Sequence, residues 1–156
     1  MKITDINGKV TLSNGVKMPY LGLGVYKSKD GEEVKNAINY AFDAGYRLID
    51  TASFYNNEEG VGEAIRESEI ERKELFITTK VWNDDQGYQN TLKAFETSRQ
   101  KLGLDYIDLY LIHWPVPHVL EETWQALEKL YNDGKVKAIG VCNCLQHQLE
   151  TIKQAG

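Results

Sequence analysis

The chain has little cysteine, little proline and no long apolar run: two cysteines and three prolines occur in 156 residues. Cys142 and Cys144 stand only two apart, a spacing that suits neither a disulfide framework nor a four-ligand zinc site, even with His147 close by. Both are expected as reduced thiols, and no metal is expected. No stretch approaches the ~18 continuous apolar residues that a membrane span needs. The opening stretch, MKITDINGKV, holds no apolar segment of signal-peptide length, so a cytoplasmic protein without membrane contact is expected. A large excess of one charge is also lacking. The formal net charge is −5, with acidic and basic residues mixed throughout, which provides no field for nucleic acid or an anionic surface. Linkers, low-complexity tracts and charge blocks are absent, and residues 1–156 read as one domain.

What is present is alternation. Short runs rich in β-branched and aromatic residues are expected as strands: Tyr20 to Gly24, Tyr46 to Asp50, Leu75 to Lys80, Tyr106 to His113 and Val136 to Cys142. Between them lie segments of helical period, with apolar faces at Val34, Ile38, Ala41 and Phe42, at Val61, Ala64 and Ile65, at Leu92, Phe95 and Leu102, and at Trp124, Leu127 and Tyr131. A last helix is expected from Leu145 to Ala155, with Leu149 and Ile152 inward. Strict strand and helix alternation implies a parallel sheet, because parallel neighbours need a crossover. Val10 to Met18, around Ser13, Asn14 and Gly15, reads instead as a small hairpin ahead of the first unit, and in a barrel it would plug the bottom.

In parallel α/β folds, chemistry gathers at the C-terminal ends of the strands. Here those ends carry Asp50, Lys80, His113 and the pair Cys142 and Asn143, with Asp50, Lys80, His113 and Cys142 separated by three steps of 30, 33 and 29 residues. Tyr55 lies in the loop after Asp50. Taken singly, each has a plain structural use: a carboxylate as a cap, a lysine as a solvated strand end, a histidine as a core residue. Their recurrence at one end of the sheet, at the spacing of one βα unit, points to a site. Tyrosine is a poor proton donor and acceptor at neutral pH, and a neighbouring ammonium favours its phenolate; Lys80 is the candidate for that charge. Asp50 would hold the lysine, and His113 would donate a hydrogen bond to a substrate oxygen. The set suits carbonyl polarisation followed by proton delivery, and it lacks an activated Ser or Cys nucleophile. Tyr26, Trp82 and Trp114, just past strand ends, would form an aromatic mouth for a small apolar aldehyde or ketone. A packing role would serve the two tryptophans equally well.

Five segments in order, LGLGVY at Leu21 to Tyr26, GYRLIDTASFY at Gly45 to Tyr55, LFITTKVW at Leu75 to Trp82, KLGLDYIDLYLIHWP at Lys101 to Pro115 and GKVKAIGVCN at Gly134 to Asn143, resemble the aldo-keto reductases. The resemblance implies a TIM-type (β/α)8 barrel, NADPH-dependent reduction of aldehydes and ketones, and a catalytic tetrad at Asp50, Tyr55, Lys80 and His113, with Tyr55 as proton donor. It further implies that Gly24, Val25, Tyr26, Asp50, Cys142 and Asn143 bind the cofactor, and that Tyr26, Trp82, His113 and Trp114 line the substrate pocket. Two departures stand out. Cys142-Asn143-Cys144 replaces the usual Ser-Asn-Phe, so a hydroxyl contact becomes a weaker thiol contact. Asn56 stands where glycine is common, and asparagine tolerates a left-handed turn.

A full barrel of this kind takes ~250 residues, whereas this chain supplies about five parallel βα units behind its hairpin. The fold expected is therefore a partial barrel. Its first and fifth strands would be unpaired apolar edges, and self-association through those edges is expected. Two readings follow: an NADPH-dependent carbonyl reductase whose activity in so short a chain stays open, or a non-catalytic partial barrel acting as a self-assembling or fragment module.

Overall fold

The computed structural model describes residues 5–155; the first four residues of the stretch read for a signal peptide, and Gly156, lie outside it. Strands β1 (Lys9–Thr11) and β2 (Lys17–Pro19) form the expected hairpin, with Val10 opposite Met18. Its turn closes through Leu12 N donating to Val16 O at 2.8 Å, with Gly15 at φ 86°.

The next five strands are β3 (Leu23–Gly24), β4 (Leu48–Asp50), β5 (Phe76–Val81), β6 (Ile107–Ile112) and β7 (Val136–Val141). All neighbours are parallel, and their order in space is their order in sequence. A doubly wound sheet reverses its order at a switch point. This one never does, which is the arrangement of a barrel wall. Between and after the strands run α1 (Glu32–Asp43), α2 (Glu58–Glu67), α3 (Tyr88–Leu102), α4 (Leu120–Asn132) and α5 (Gln146–Ala155).

Every expected strand is present, but the first two are much shorter than their apolar runs. Their leading backbone groups are already committed elsewhere. Tyr20 N donates to Gly8 O in the hairpin at 3.0 Å, and Tyr46 N donates to Ala41 O at the end of α1 at 2.8 Å, so neither can join the ladder.

Strand alternation sends Ile49, Ile77, Tyr110 and Ile112 toward the helices, where Val34, Ile38, Phe95 and Leu127 meet them in one buried cluster. Each such fully buried side chain is worth about 1.5–3 kcal/mol relative to exposure. Tyr110 and Phe95 meet edge-on, with centroids 5.2 Å apart. Helices α2 and α3 approach so closely at Gly62 that a Cβ there would strike the Leu102 backbone. The hairpin lies at the N-terminal ends of β5 to β7: Lys9, Lys17 and Pro19 share a small cavity with Phe76, Asp108 and Lys137, and Asn14 Nδ2 donates to Lys137 O at 2.9 Å. Asp108 is buried there, held by Arg72 at 2.6 Å and Lys137 at 2.8 Å.

Two apolar positions depart from expectation. Tyr131 and Leu149 were expected inward but are 39% and 41% exposed, whereas Ile152 is buried. Helices α4 and α5 are the last in the row and β7 is the last strand of the sheet, so no described element covers that flank.

Candidate active site

The parallel register sets Gly24 beside Asp50 and Lys80 beside Leu111, two residues before His113, so the strand ends bring their side chains to one rim. Lys80 is the last residue but one of β5, and its ammonium is almost wholly enclosed, with its side chain 5% exposed against 34% for that of Asp50. It donates to Asp50 Oδ1 at 2.6 Å and to Thr51 O at 2.8 Å. An enclosed cation needs both partners, because burial without them is strongly unfavourable. The ammonium also sits 5.1 Å from the centre of the Tyr55 ring.

Tyr55 comes from the short turn Ser53–Tyr55 after β4, which Ser53 Oγ fastens to Lys80 O at 3.0 Å. Asn56 ends that turn in the left-handed conformation at φ 54°, as its residue type allows. The Tyr55 ring lies 5.6 Å from the His113 ring at a steep angle, and 5.0 Å from Tyr26. Asp50, Tyr55, Lys80 and His113 therefore converge on one point. Burial, and after it the Lys80 ammonium, push the His113 imidazole below its ordinary pKa of 6.5, with Asp50 opposing. Its ring is accordingly neutral at pH 7, able to donate one hydrogen bond and accept another.

Around this point, Tyr26, Phe54, Tyr55, Trp82, His113, Trp114 and Asn143 line a cavity of about 210 Å³. Trp82 lies 5.2 Å from His113. Trp114 is half exposed, and its loop is clamped by Gln86, whose Nε2 donates to Trp114 O at 2.7 Å while its Oε1 accepts from Val116 N at 3.2 Å. At the end of β7, Asn143 adopts φ 52° and donates from Nδ2 to His113 O at 2.8 Å, which leaves its Oδ1 for an outside donor. Cys142 is half-buried, and burial raises its thiol above the ordinary range, so it stays protonated at neutral pH. Gly24 has open space where a Cβ would stand, so a flat ring can approach the backbone beside Asp50.

Three features of the site escape the sequence reading. Phe54 stacks on Trp82 at 3.8 Å, making one aromatic wall from two loops. Thr51 supplies the second acceptor for Lys80. Asn57 is fully buried and bonds to three groups in two loops. The run of adjacent polar and aromatic residues from Ser53 to Asn57 was a signal for Phe54 and Asn57, but a polar residue ahead of a helix ordinarily reads as a cap.

Residues 20–156 match the model of the aldo/keto reductase family. The chain belongs to this family. It is 61% identical over 140 residues to a Trypanosoma cruzi 9,11-endoperoxide prostaglandin H2 reductase, a match that covers 90% of this chain and 50% of that protein. It is 56% identical over 149 residues to a Bacillus subtilis glyoxal reductase, covering 96% of this chain and 54% of the relative. Among solved structures, a Bombyx mori aldo-keto reductase in complex with NADP superposes with a TM-score of 0.87 at 36% identity, over 98% of this chain and 56% of that one. The chain spans about half the length of the curated relatives it matches. Its five βα units thus correspond to part of an aldo/keto reductase barrel, with the converging side chains at the C-terminal rim.

Proposed function

We propose that this chain carries the catalytic tetrad of an NADPH-dependent carbonyl reductase acting on small aldehydes and ketones, α-oxoaldehydes among them. The observation that carries the reading is the convergence of the enclosed Lys80 ammonium, the Tyr55 ring and the neutral His113 ring on one small aromatic cavity. The donor set fits the nicotinamide end of the cofactor: Gly24, Val25 and Tyr26 would lie along the ring, Asp50 beside it, and Cys142 and Asn143 at its carboxamide. NADPH, when bound, supplies the hydride that reaches the carbonyl carbon.

The remaining work falls to the side chains. His113 donates a hydrogen bond to the carbonyl oxygen and orients it, and Tyr55 delivers the hydroxyl proton to that oxygen as it becomes an alkoxide. Lys80, fixed by Asp50 and Thr51, offsets the negative charge left on the Tyr55 oxygen. Tyr26, Trp82 and Trp114 hold the apolar part of the substrate. One aldehyde, one hydride and one proton give one alcohol. The test is NADPH consumption matched by alcohol formation from methylglyoxal and 4-nitrobenzaldehyde. Turnover that disappears in Tyr55→Phe supports the reading, and unchanged turnover in that variant removes the proposed proton donor.

A second reading concerns assembly. Strand β7 has a neighbour on one side only among the described residues, and beside it lies a groove of about 580 Å³ lined by Leu12, Trp124, Tyr131 and Ile139. Leu145 and Leu149 are exposed nearby in sequence. We infer that a second copy of this chain covers this flank, which would make the chain a self-assembling partial barrel. Sedimentation as a dimer agrees with this, and a monomer at high concentration does not.

A further inference from the structure

Asn57 makes no contact with the aromatic cavity, yet it has the most connected buried side chain in the neighbourhood. Its Oδ1 accepts from Thr51 Oγ1 at 2.7 Å, closing the loop from Thr51 to Asn57 that carries Tyr55. Its Nδ2 donates to Val25 O at 2.9 Å and Ser28 O at 3.0 Å, both in the loop between β3 and α1 that carries Tyr26. The residue is 0% exposed, so water cannot replace any of these bonds. Both loops also touch through rings, Tyr26 lying 5.0 Å from Tyr55.

We propose that Asn57 is a positioning residue that locks the loop bearing Tyr55 to the loop bearing Gly24, Val25 and Tyr26, so that the proton donor and the nicotinamide-facing backbone hold one fixed geometry. A primary amide is suited to this, because it accepts from one loop and donates twice to the other. Aspartate would keep the first bond and oppose the other two; alanine loses all three. Thr51 shares the task through one hydroxyl, while its backbone stays pinned by Thr51 N donating to Thr78 O at 2.9 Å. The functional side of this inference rests on the reductase reading, but the geometric side does not.

The experiment uses the full chain with Asn57→Ala, Thr51→Val and, as a core truncation away from the site, Leu127→Val. Through-space NMR contacts between the Tyr55 and His113 rings, and between Tyr26 and Tyr55, report the geometry without any turnover. NADPH affinity by fluorescence reports its use. The expected result is loss of both ring contacts in folded Asn57→Ala with NADPH binding weakened about tenfold or more, a smaller loss in Thr51→Val, and no change in Leu127→Val. A merely structural role would lower the melting temperature in all three variants and leave the ring contacts in place. Contacts that persist in both loop variants, with affinity within about twofold of the parent, overturn the inference. If the parent chain does not bind NADPH, the reductase reading fails, while the ring contacts still decide the role of Asn57. If Asn57→Ala does not fold, Thr51→Val decides it by the same two measurements.

Discussion

Replacing Lys80 by methionine should cost the fold little, although Lys80 makes an ion pair of 2.6 Å with Asp50 Oδ1. Replacing a whole buried ion pair by apolar groups of similar volume is often neutral or stabilising by about 1–4 kcal/mol, whereas removing one partner is costly when the charge left behind is buried; Lys80→Met removes the enclosed charge and leaves the one that water reaches. Two features reduce that gain here. Asp50 loses its cation while only about one-third exposed, and Thr51 O loses a donor, worth about 1 kcal/mol. The net expected change for Lys80→Met is therefore within about 1 kcal/mol of zero. Asp50→Ala does the opposite. It leaves an ammonium in a side chain only 5% exposed with Thr51 O as its remaining bonded partner. Breaking a buried pair from one side costs about 3–5 kcal/mol, reduced here to about 2–3 by the exposure of Asp50. Urea unfolding followed by circular dichroism separates the two variants: with a slope of about 1–3 kcal/mol per molar, their midpoints should differ by roughly 1 M or more. Both variants should lose carbonyl reduction. If Lys80→Met unfolds as early as Asp50→Ala, the ion pair is holding the fold together, and the asymmetry expected from the enclosure of Lys80 is refuted.

Two further changes test the frame around the site. Glu58 is buried beneath Thr79 and Ser98, and its burial raises its pKa above 4.5, so the folded state holds the proton more tightly than the unfolded chain. Its contribution to stability is therefore full below about pH 4.5 and is lost as pH rises through the folded-state value. Glu58→Gln, which keeps an acceptor for Thr79, should raise the melting temperature at pH 7 and change it little at pH 4; an equal effect at both would contradict this. Gly62→Ala places a methyl against the Leu102 backbone, which cannot move aside like a side chain. A loss of about 1–3 kcal/mol, or roughly 2–4 °C for each kcal/mol in thermal melts, is expected, and an unchanged melt would show that α2 and α3 can part freely.

Much of this arrangement was legible because two periodicities agree. The apolar faces of α1 to α4 and the short β-rich runs between them leave a parallel sheet as the simple solution, and the distances from Asp50 to Lys80 to His113 match one βα unit each. What stayed hidden has three physical causes. Helical period identifies an apolar face but not whether a neighbour exists to cover it, hence Tyr131 and Leu149. Strand propensity does not see backbone donors already committed to turns, hence the shortness of β3 and β4. A buried amide such as Asn57 looks like any polar residue ahead of a helix until the distant carbonyls of Val25 and Ser28 are placed beside it. The stacking of Phe54 on Trp82 likewise joins residues from two loops, which no local pattern specifies.

Lys80, Asp50 and His113 share one small volume, and with only three histidines in the chain the imidazole itself can report it. The measurement is the NMR titration of His113 in the parent protein and in Lys80→Met. A midpoint below 6.5 is expected in the parent, since burial and the ammonium both disfavour the charged ring, and an upward move is expected when the ammonium is removed and Asp50 remains. A parent midpoint at or above 6.5 that stays put in Lys80→Met would place the lysine and the histidine apart, and the proposed chemistry would have no centre.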